Sequence, residues 1–212
     1  LIAPTFDEAF QRQFAGLLQW RRDVRHFREE PLAEADVQAL LDAAHHAPSV
    51  GNSQPWRIVR VATAALRDAV ADHVDQCVYA AGERYRGMEY DRYRSLKLHG
   101  MRQAPLQLAV FCDPATDDGR GLGRATMPET LDWSVVMAIH SLWLAAVARG
   151  LGVGWVSILE PVEIARMLAA PPQWRLIAWL CIGRAIEPSD EPELARRGWQ
   201  QRLPLDAVLF EK

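Results

Sequence analysis

Apolar positions recur at helical spacing in two stretches near the start of the chain. Phe10, Phe14, Leu17 and Leu18 form one stripe on an N-terminal helix, and Val37, Leu40, Leu41 and Ala44 follow i, i+3, i+4, i+7 on a second helix that begins near Pro31 and ends before Pro48. Runs rich in β-branched and aromatic residues, each bounded by Pro, Gly or Asp, predict strands at 56–61, 106–112, 153–158 and 176–182. Helices and strands intersperse without strict alternation. The pattern predicts a single α+β domain over 1–212, a small mixed sheet around a central apolar helix, without repeats or an interdomain linker. Residues 113–126, with Gly119, Gly121 and Gly123 near the tip, read as a mobile loop.

The central helix is the stretch 131–148. It is long and apolar enough to raise a membrane span, but it carries Asp132 and His140 and closes with Arg149-Gly150, which predicts a core helix instead. Pro128 and Glu129 suit its start, and Gly150 suits a C-cap. A helix apolar all round needs cover on every side, from a sheet on one face and from further helices or a partner subunit on the other.

Composition narrows the class. The chain has 212 residues, 50% hydrophobic and 24% charged, with a net charge of −3. That balance, with no basic tail, argues against a nucleic-acid or membrane-surface role. Cys77, Cys112 and Cys181 are widely spaced in apolar surroundings, as expected of buried reduced thiols in a cytoplasmic protein. The stretch from Leu1 to Phe6 has neither the basic nor the apolar region of a signal peptide.

Several chemistries lack their motifs. His45 and His46 are adjacent, so on a helix they diverge by about 100° and cannot chelate one ion; no metal site is expected. Gly150, Gly152 and Gly154 follow a helix and precede a strand, the reverse of a dinucleotide-binding turn. There is no Walker loop, G-x-S-x-G elbow or reactive-cysteine arrangement.

Two clusters remain. Arg21-Arg22-Asp23-Val24-Arg25 sets one carboxylate among guanidiniums, and if the first helix runs on, Arg21, Arg25 and Arg28 share a face as a forked anion site. A solvated basic edge, with Asp23 neutralising its neighbours, is the plainer alternative. The second cluster is the loop 47–56, where Pro48 and Pro55 fix the backbone and Ser49, Asn52 and Gln54 supply neutral donors and acceptors. Alone it reads equally as a polar turn or as a seat for a heteroaromatic ring. Together, one phosphate and one polar ring point to a mononucleotide such as FMN.

The Arg-Arg-x-x-Arg cluster, the Pro-Ser-x-x-Asn-x-Gln-Pro-Trp loop and Arg202-Leu203-Pro204-Leu205 resemble the FMN-dependent nitroreductase superfamily over nearly the whole chain. Asp23 where most members carry Ser or Thr, the run from Ala44 to Gly51, and Gly154-Trp155-Val156-Ser157-Ile158 most resemble its 5,6-dimethylbenzimidazole synthase branch. Asn52-Ser53 departs from that branch, which commonly has bulky apolar residues there. The resemblance implies a nitroreductase-like fold, a homodimer with flavin sites spanning both subunits, and oxygen-dependent fragmentation of reduced FMN to the lower base of cobalamin. It implies that Arg21, Arg22, Arg25 and Arg202 hold the phosphate and ribityl end, that Pro48, Ser49, Asn52 and Gln54 line the ring, and that Asp23 and Ser157 carry the chemistry. Val24 and Val156 belong to the same cofactor-binding stretches.

Asp23 beside a ribityl chain suits a general base, and its arginine neighbours are expected to hold it below the ordinary value of about 3.9. Ser157, at a strand end, is placed to hydrogen-bond the flavin edge or simply to cap the strand. Of 24 basic residues only Lys97 and Lys212 are lysine, which singles out Lys97 as a point charge for the flavin pyrimidine or as a chance survivor. Residues 79–93, with Tyr85 and Tyr90 among arginines, read as a lid. Two other functions fit less of the sequence: an NAD(P)H-dependent FMN nitro or quinone reductase, favoured by Asn52-Ser53, and a non-catalytic flavin-binding protein. No nicotinamide motif is present, so a separate flavin reductase is the expected source of reduced FMN.

Overall fold

Four strands form one sheet in the order β1-β2-β4-β3, with β1 Trp56–Arg60, β2 Leu106–Cys112, β3 Gly152–Val156 and β4 Arg175–Gly183. This is a computed structural model, and it describes residues 3–212, so Leu1 and Ile2 of the N-terminal stretch lie outside it. Every strand pairing is antiparallel. The sheet is therefore not mixed in itself; among the described residues the one parallel contact is an isolated bridge between Asp23 and Val153.

Among the described residues seven helices surround the sheet: α1 Glu8–Trp20, α2 Glu34–His45, α3 Ala64–Gly82, α4 Gly87–Ser95, α5 Thr130–Ala148, α6 Pro161–Met167 and α7 Glu193–Arg196. The pleat sorts β2 between two cores. Leu106, Leu108, Val110 and Cys112 face α2 and α5, while Ala109 and Phe111 face α3 and α6. Buried Gln107, on the second face, donates to the Met101 carbonyl (2.6 Å) and accepts from Trp179 Nε1 (3.0 Å), so its amide is satisfied inside the core. Burial pushes the Cys112 thiol up to about 12 and the Cys181 thiol higher still, whereas Cys77 is only half-buried.

Helix α5 starts and stops where its sequence signals lie. Glu129 sits at the N-cap position without a side-chain capping bond, and Gly150, at φ +68°, turns the chain so that the Leu151 N–H reaches the Ala146 carbonyl. Val135, Ala138, Ile139, Leu142 and Ala146 are buried, but Trp133, Val136 and Met137 stay open on its outer side. Helix α1 lies on α5 with none of its residues buried: Phe10, Phe14 and Leu18 form an outward apolar stripe, not a core face.

Three expectations change. Helix α1 stops at Trp20 and residues 21–28 are extended, so Arg28 does not share a helical face with Arg21 and Arg25. Residues 113–126 are not a free loop: they carry a short 3-10 turn, Asp118–Gly121, docked on a second one, Val50–Asn52. Residues 79–93 are the end of α3 and most of α4, and Tyr85 stacks on buried Tyr93 (centroids 5.0 Å) with Trp199 edge-on (5.3 Å), which commits that ring to packing.

Candidate active site

The extended strap 21–28 replaces helical hydrogen bonds with tertiary ones. Val24 N–H donates to the Val153 carbonyl (3.0 Å), Arg28 N–H to Arg184 (2.8 Å), and Ile186 N–H to His26 (3.0 Å). Two glycines of β3 make this approach possible. A Cβ on Gly152 would lie 2.6 Å from Val24 Cγ2, and one on Gly154 would overlap the Val24 carbonyl oxygen. The glycine run that fails as a dinucleotide turn is a bed for the strap.

Asp23 is pinned from both sides. Its Oδ1 accepts the Trp155 backbone N–H (2.9 Å) and its Oδ2 accepts Arg25 Nε (2.8 Å). Arg25 also donates to the Lys97 carbonyl (3.2 Å), and Lys97 Nζ donates to Gln103 (3.2 Å). Asp23, Arg25 and Lys97 are thus brought together, and Ser157 follows β3 directly, exposed, with Val156 buried beneath it. The expected acidic shift of Asp23 is overturned: burial raises its carboxyl above the usual carboxylate range, and Arg25, the Trp155 N–H and Arg21 offset this only in part. Its side chain keeps 32% of its surface open, so a ligand can reach one edge.

The arginines divide their work. Arg21 stacks over Trp143 (4.9 Å to the ring centre), and Arg22 donates to the carbonyls of Asp190 (2.8 Å) and Arg21 (2.6 Å). Burial and the nearby guanidiniums of Arg21 and Arg202 lower the Arg22 pKa, with Asp190 pulling the other way. Arg202 therefore reaches the cluster from the far end of the chain. Among the described residues, neither Arg21 nor Arg202 has a carboxylate at ion-pair distance, so the corner carries positive charge in excess. Arg25, by contrast, is committed to Asp23.

The ring loop forms a separate cluster. Ser49 Oγ accepts the Gln54 N–H (3.0 Å), Gln54 Nε2 donates to the Asn52 carbonyl (2.9 Å), and Asn52 (φ +56°) and Gln54 (φ +44°) hold left-handed backbones that non-glycine residues adopt only under constraint. Pro48 is exposed at its start. The constraint comes from α5, where Ser134 Oγ accepts the Val50 N–H (3.0 Å), and from the facing turn, since a Cβ on Gly51 would sit 2.7 Å from the Leu122 carbonyl oxygen.

Within one chain these clusters do not meet. The loop anchors at Ser134 and the arginines at Trp143, about 13 Å farther along α5. A cavity of about 480 Å³ lies along the strap, between the start of β3 and residues 185–197, and its walls include Arg22, Asp23 and Arg25 but neither Ser157, Lys97 nor the ring loop. Sequence reasoning missed Trp143 beneath Arg21 and the backbone N–H of Trp155 on Asp23; an indole inside an apolar helix and a main-chain donor carry no distinguishing sequence signal.

The nitroreductase family model matches residues 18–184, a span that holds the strap, the ring loop and Ser157. A Rhodospirillum rubrum protein named 5,6-dimethylbenzimidazole synthase is 56% identical over 205 residues, 97% of each chain. A Rhodobacter capsulatus protein of the same name is 50% identical over 203 residues, 95% of this chain and 97% of its own. Among solved structures, oxidized iodotyrosine deiodinase bound to FMN and 3-iodo-L-tyrosine superposes with a TM-score of 0.70 at 24% identity, covering 82% of this chain and 91% of that one, a likeness of fold. On the extent of the family match and the near full-length identity to these relatives, the chain belongs to the nitroreductase family.

Proposed function

We propose that this protein is a 5,6-dimethylbenzimidazole synthase that binds reduced FMN and, with O2, fragments it to the benzimidazole. The observation that carries the reading is the Asp23 carboxylate fixed on the Trp155 N–H, two residues before Ser157, in a chain 56% identical to a relative of that name. The protein's groups suit the ligand. Arg21 and Arg202 offer unpaired guanidiniums to a phosphate, with Arg22 beside them. Asn52, Gln54 and Ser49 offer amide and hydroxyl groups on a constrained backbone to the ring, and Lys97, whose carbonyl receives Arg25 and whose ammonium donates to Gln103, is the cation proposed for the flavin pyrimidine. Reduced flavin supplies the electrons that activate O2. Asp23, its pKa raised, takes a proton from the ribityl side more readily than an ordinary aspartate does, and Ser157 holds the ring edge.

The working unit in this reading is a homodimer. An antiparallel two-fold pairing of α5 through exposed Val136, Met137 and His140, with its axis between Met137 and His140, sets the Ser134 end of one helix beside the Trp143 end of the other. The ring loop of one subunit then faces the arginine strap of its partner, joining clusters that one chain keeps apart. The exposed apolar tail residues Leu203, Leu205, Val208, Leu209 and Phe210 offer further surface to the same partner. Reduced FMN comes from a separate flavin reductase, and the buried Cys112 and Cys181 thiols suit the cytoplasm.

The test is to incubate the protein with reduced FMN in air and quantify 5,6-dimethylbenzimidazole by mass spectrometry. Benzimidazole in proportion to flavin consumed supports the reading. Flavin recovered intact, with NAD(P)H-driven reduction of nitro or quinone compounds, supports the second reading, which Asn52-Ser53 favours.

A further inference from the structure

Asp23 stands at one end of a hydrogen-bonded chain whose other end is on α3, across the sheet from α5. Arg25 links Asp23 to the Lys97 carbonyl, and Lys97 opens a tight segment, residues 97–103, that carries three anchors. Its own turn is closed by Ala104 N–H on the Gly100 carbonyl (2.9 Å), with Met101 buried. It presses on the strap at Gly100, where a Cβ would lie 2.6 Å from the Arg25 carbonyl oxygen and from the Phe27 ring. It is tied to α3 mainly at Asp75, whose Oδ1 pairs with His99 Nε2 (2.9 Å) and whose Oδ2 accepts Arg102 Nη2 (2.6 Å), with Asp72 accepting the same Arg102 Nη2 (2.7 Å).

Neither His99 nor Asp75 belongs to the candidate site, and surface pairing alone explains their arrangement poorly. The His99 side chain keeps only 12% of its surface exposed, so its ring is enclosed with Asp75 as its charged partner. Burial would raise the Asp75 carboxyl, but the hydrogen bonds from Arg102 and His99 outweigh it and hold the group below the usual range, so Asp75 is an ionised anchor near neutral pH.

We propose that Asp75 is a positioning residue for the reaction: by clamping His99 and Arg102 to α3 it fixes the Lys97 carbonyl, which aims Arg25 at Asp23 and thereby sets how tightly the Asp23 carboxylate is paired. The claim rests on the reading of Asp23 as the reacting carboxylate, but its physical core, the coupling of Asp75 to Asp23 through Arg25, stands apart from any activity.

The sign of one titration separates positioning from plain electrostatics. Removing the negative charge of Asp75 acts through space to lower the Asp23 pKa, since one anion fewer faces it. Releasing Arg25 acts to raise it, since the carboxylate loses a paired cation. Carboxyl-carbon NMR of the ligand-free protein follows Asp23 in the native chain, in Asp75→Ala and Asp75→Asn, and in Glu34→Ala, which removes the Arg60–Glu34 ion pair outside this chain of contacts. The expected result is a higher Asp23 titration in Asp75→Ala, a smaller rise in Asp75→Asn, which keeps an acceptor oxygen, and none in Glu34→Ala. In single turnovers with reduced FMN, benzimidazole per flavin oxidised is expected to fall about 10-fold in Asp75→Ala, within what a misplaced group loses, with reduced-FMN affinity within about 3-fold of native. An Asp23 titration that falls or stays put in Asp75→Ala overturns the proposal. A native protein that makes no benzimidazole while the Asp23 titration still rises overturns the proposed function and leaves the coupling standing.

Discussion

Asp23 and Trp155 are joined by a 2.9 Å hydrogen bond from the backbone of β3 to a side-chain carboxylate, across a parallel bridge that the glycines of β3 permit. With the backbone bonds of Val24, Arg28 and His26, this contact holds residues 21–28 as a strap on β3 and fixes the Asp23 carboxylate to the main chain of Trp155. Ser157 lies two residues beyond Trp155, so the position of Asp23 relative to the end of β3 is set by main chain and not by rotamer choice.

The strap depends on Gly154. Replacing it with alanine drives a Cβ into the Val24 carbonyl oxygen, a backbone collision that no side-chain rotation relieves. Gly154→Ala is expected to cost about 1–3 kcal/mol or more of stability and to weaken FMN binding, read by thermal melting with and without FMN. A native melting temperature and native affinity would mean that the strap does not need this close approach.

The raised Asp23 pKa fixes the sign of a pH effect. Between the unfolded value of 3.8 and the higher folded one, the native state binds more protons than the unfolded state, so the Asp23 contribution to stability falls as pH rises through that window. In Asp23→Asn that loss is absent. The melting temperature of the variant minus that of the native ligand-free protein is expected to become more positive as pH rises above 3.8, whatever constant offset the lost Arg25 pair adds. A difference that shrinks with pH would mean that Asp23 is held in its charged form after all.

Arg202, outside the matched family span and close to Arg22, is the proposed phosphate partner. Arg202→Ala is expected to weaken FMN by roughly 1.5–3 kcal/mol, the scale of a lost hydrogen bond to a charged group, measured by fluorescence titration. Unchanged affinity would place the phosphate elsewhere.

The open side of α5 is expected to be a subunit contact. Val136→Glu or Met137→Glu puts a charge into that apolar stripe and should yield a monomer in analytical ultracentrifugation, with FMN affinity lost alongside because the ring loop and strap no longer meet. A native protein that sediments as a monomer with full flavin affinity contradicts the shared site.

Much of this architecture is legible in the chain because its signals are local. Strands bounded by Pro, Gly or Asp appear within two residues of their expected limits, and α5 begins and ends at its capping residues. Helices α3 and α4 escape the pattern, since α3 buries only Val70, Ala71, Val74 and Gly82, and α4 buries only Tyr93. The end of α1 escapes it for another reason. Helical spacing continues through Arg21, Arg25 and Arg28, whereas residues 23–28 bond in the fold to β3 and to residues 184–186. The Asp23 pKa follows suit: neighbouring arginines are visible in sequence, whereas the burial that outweighs them is created by the strap and the strand together.

In the proposed reaction Asp23 carries the chemistry and does not merely balance charge. Asp23→Asn keeps the size of the side chain and an acceptor for Trp155 while removing the charge beside Arg25 and Arg21. One single-turnover experiment, following flavin oxidation and benzimidazole yield together, tests it. Reduced-FMN binding equal to or tighter than native, continued flavin oxidation, and benzimidazole formation lower by about 10²-fold or more are expected; a near-native benzimidazole yield per bound flavin would reduce Asp23 to a charge-balancing partner.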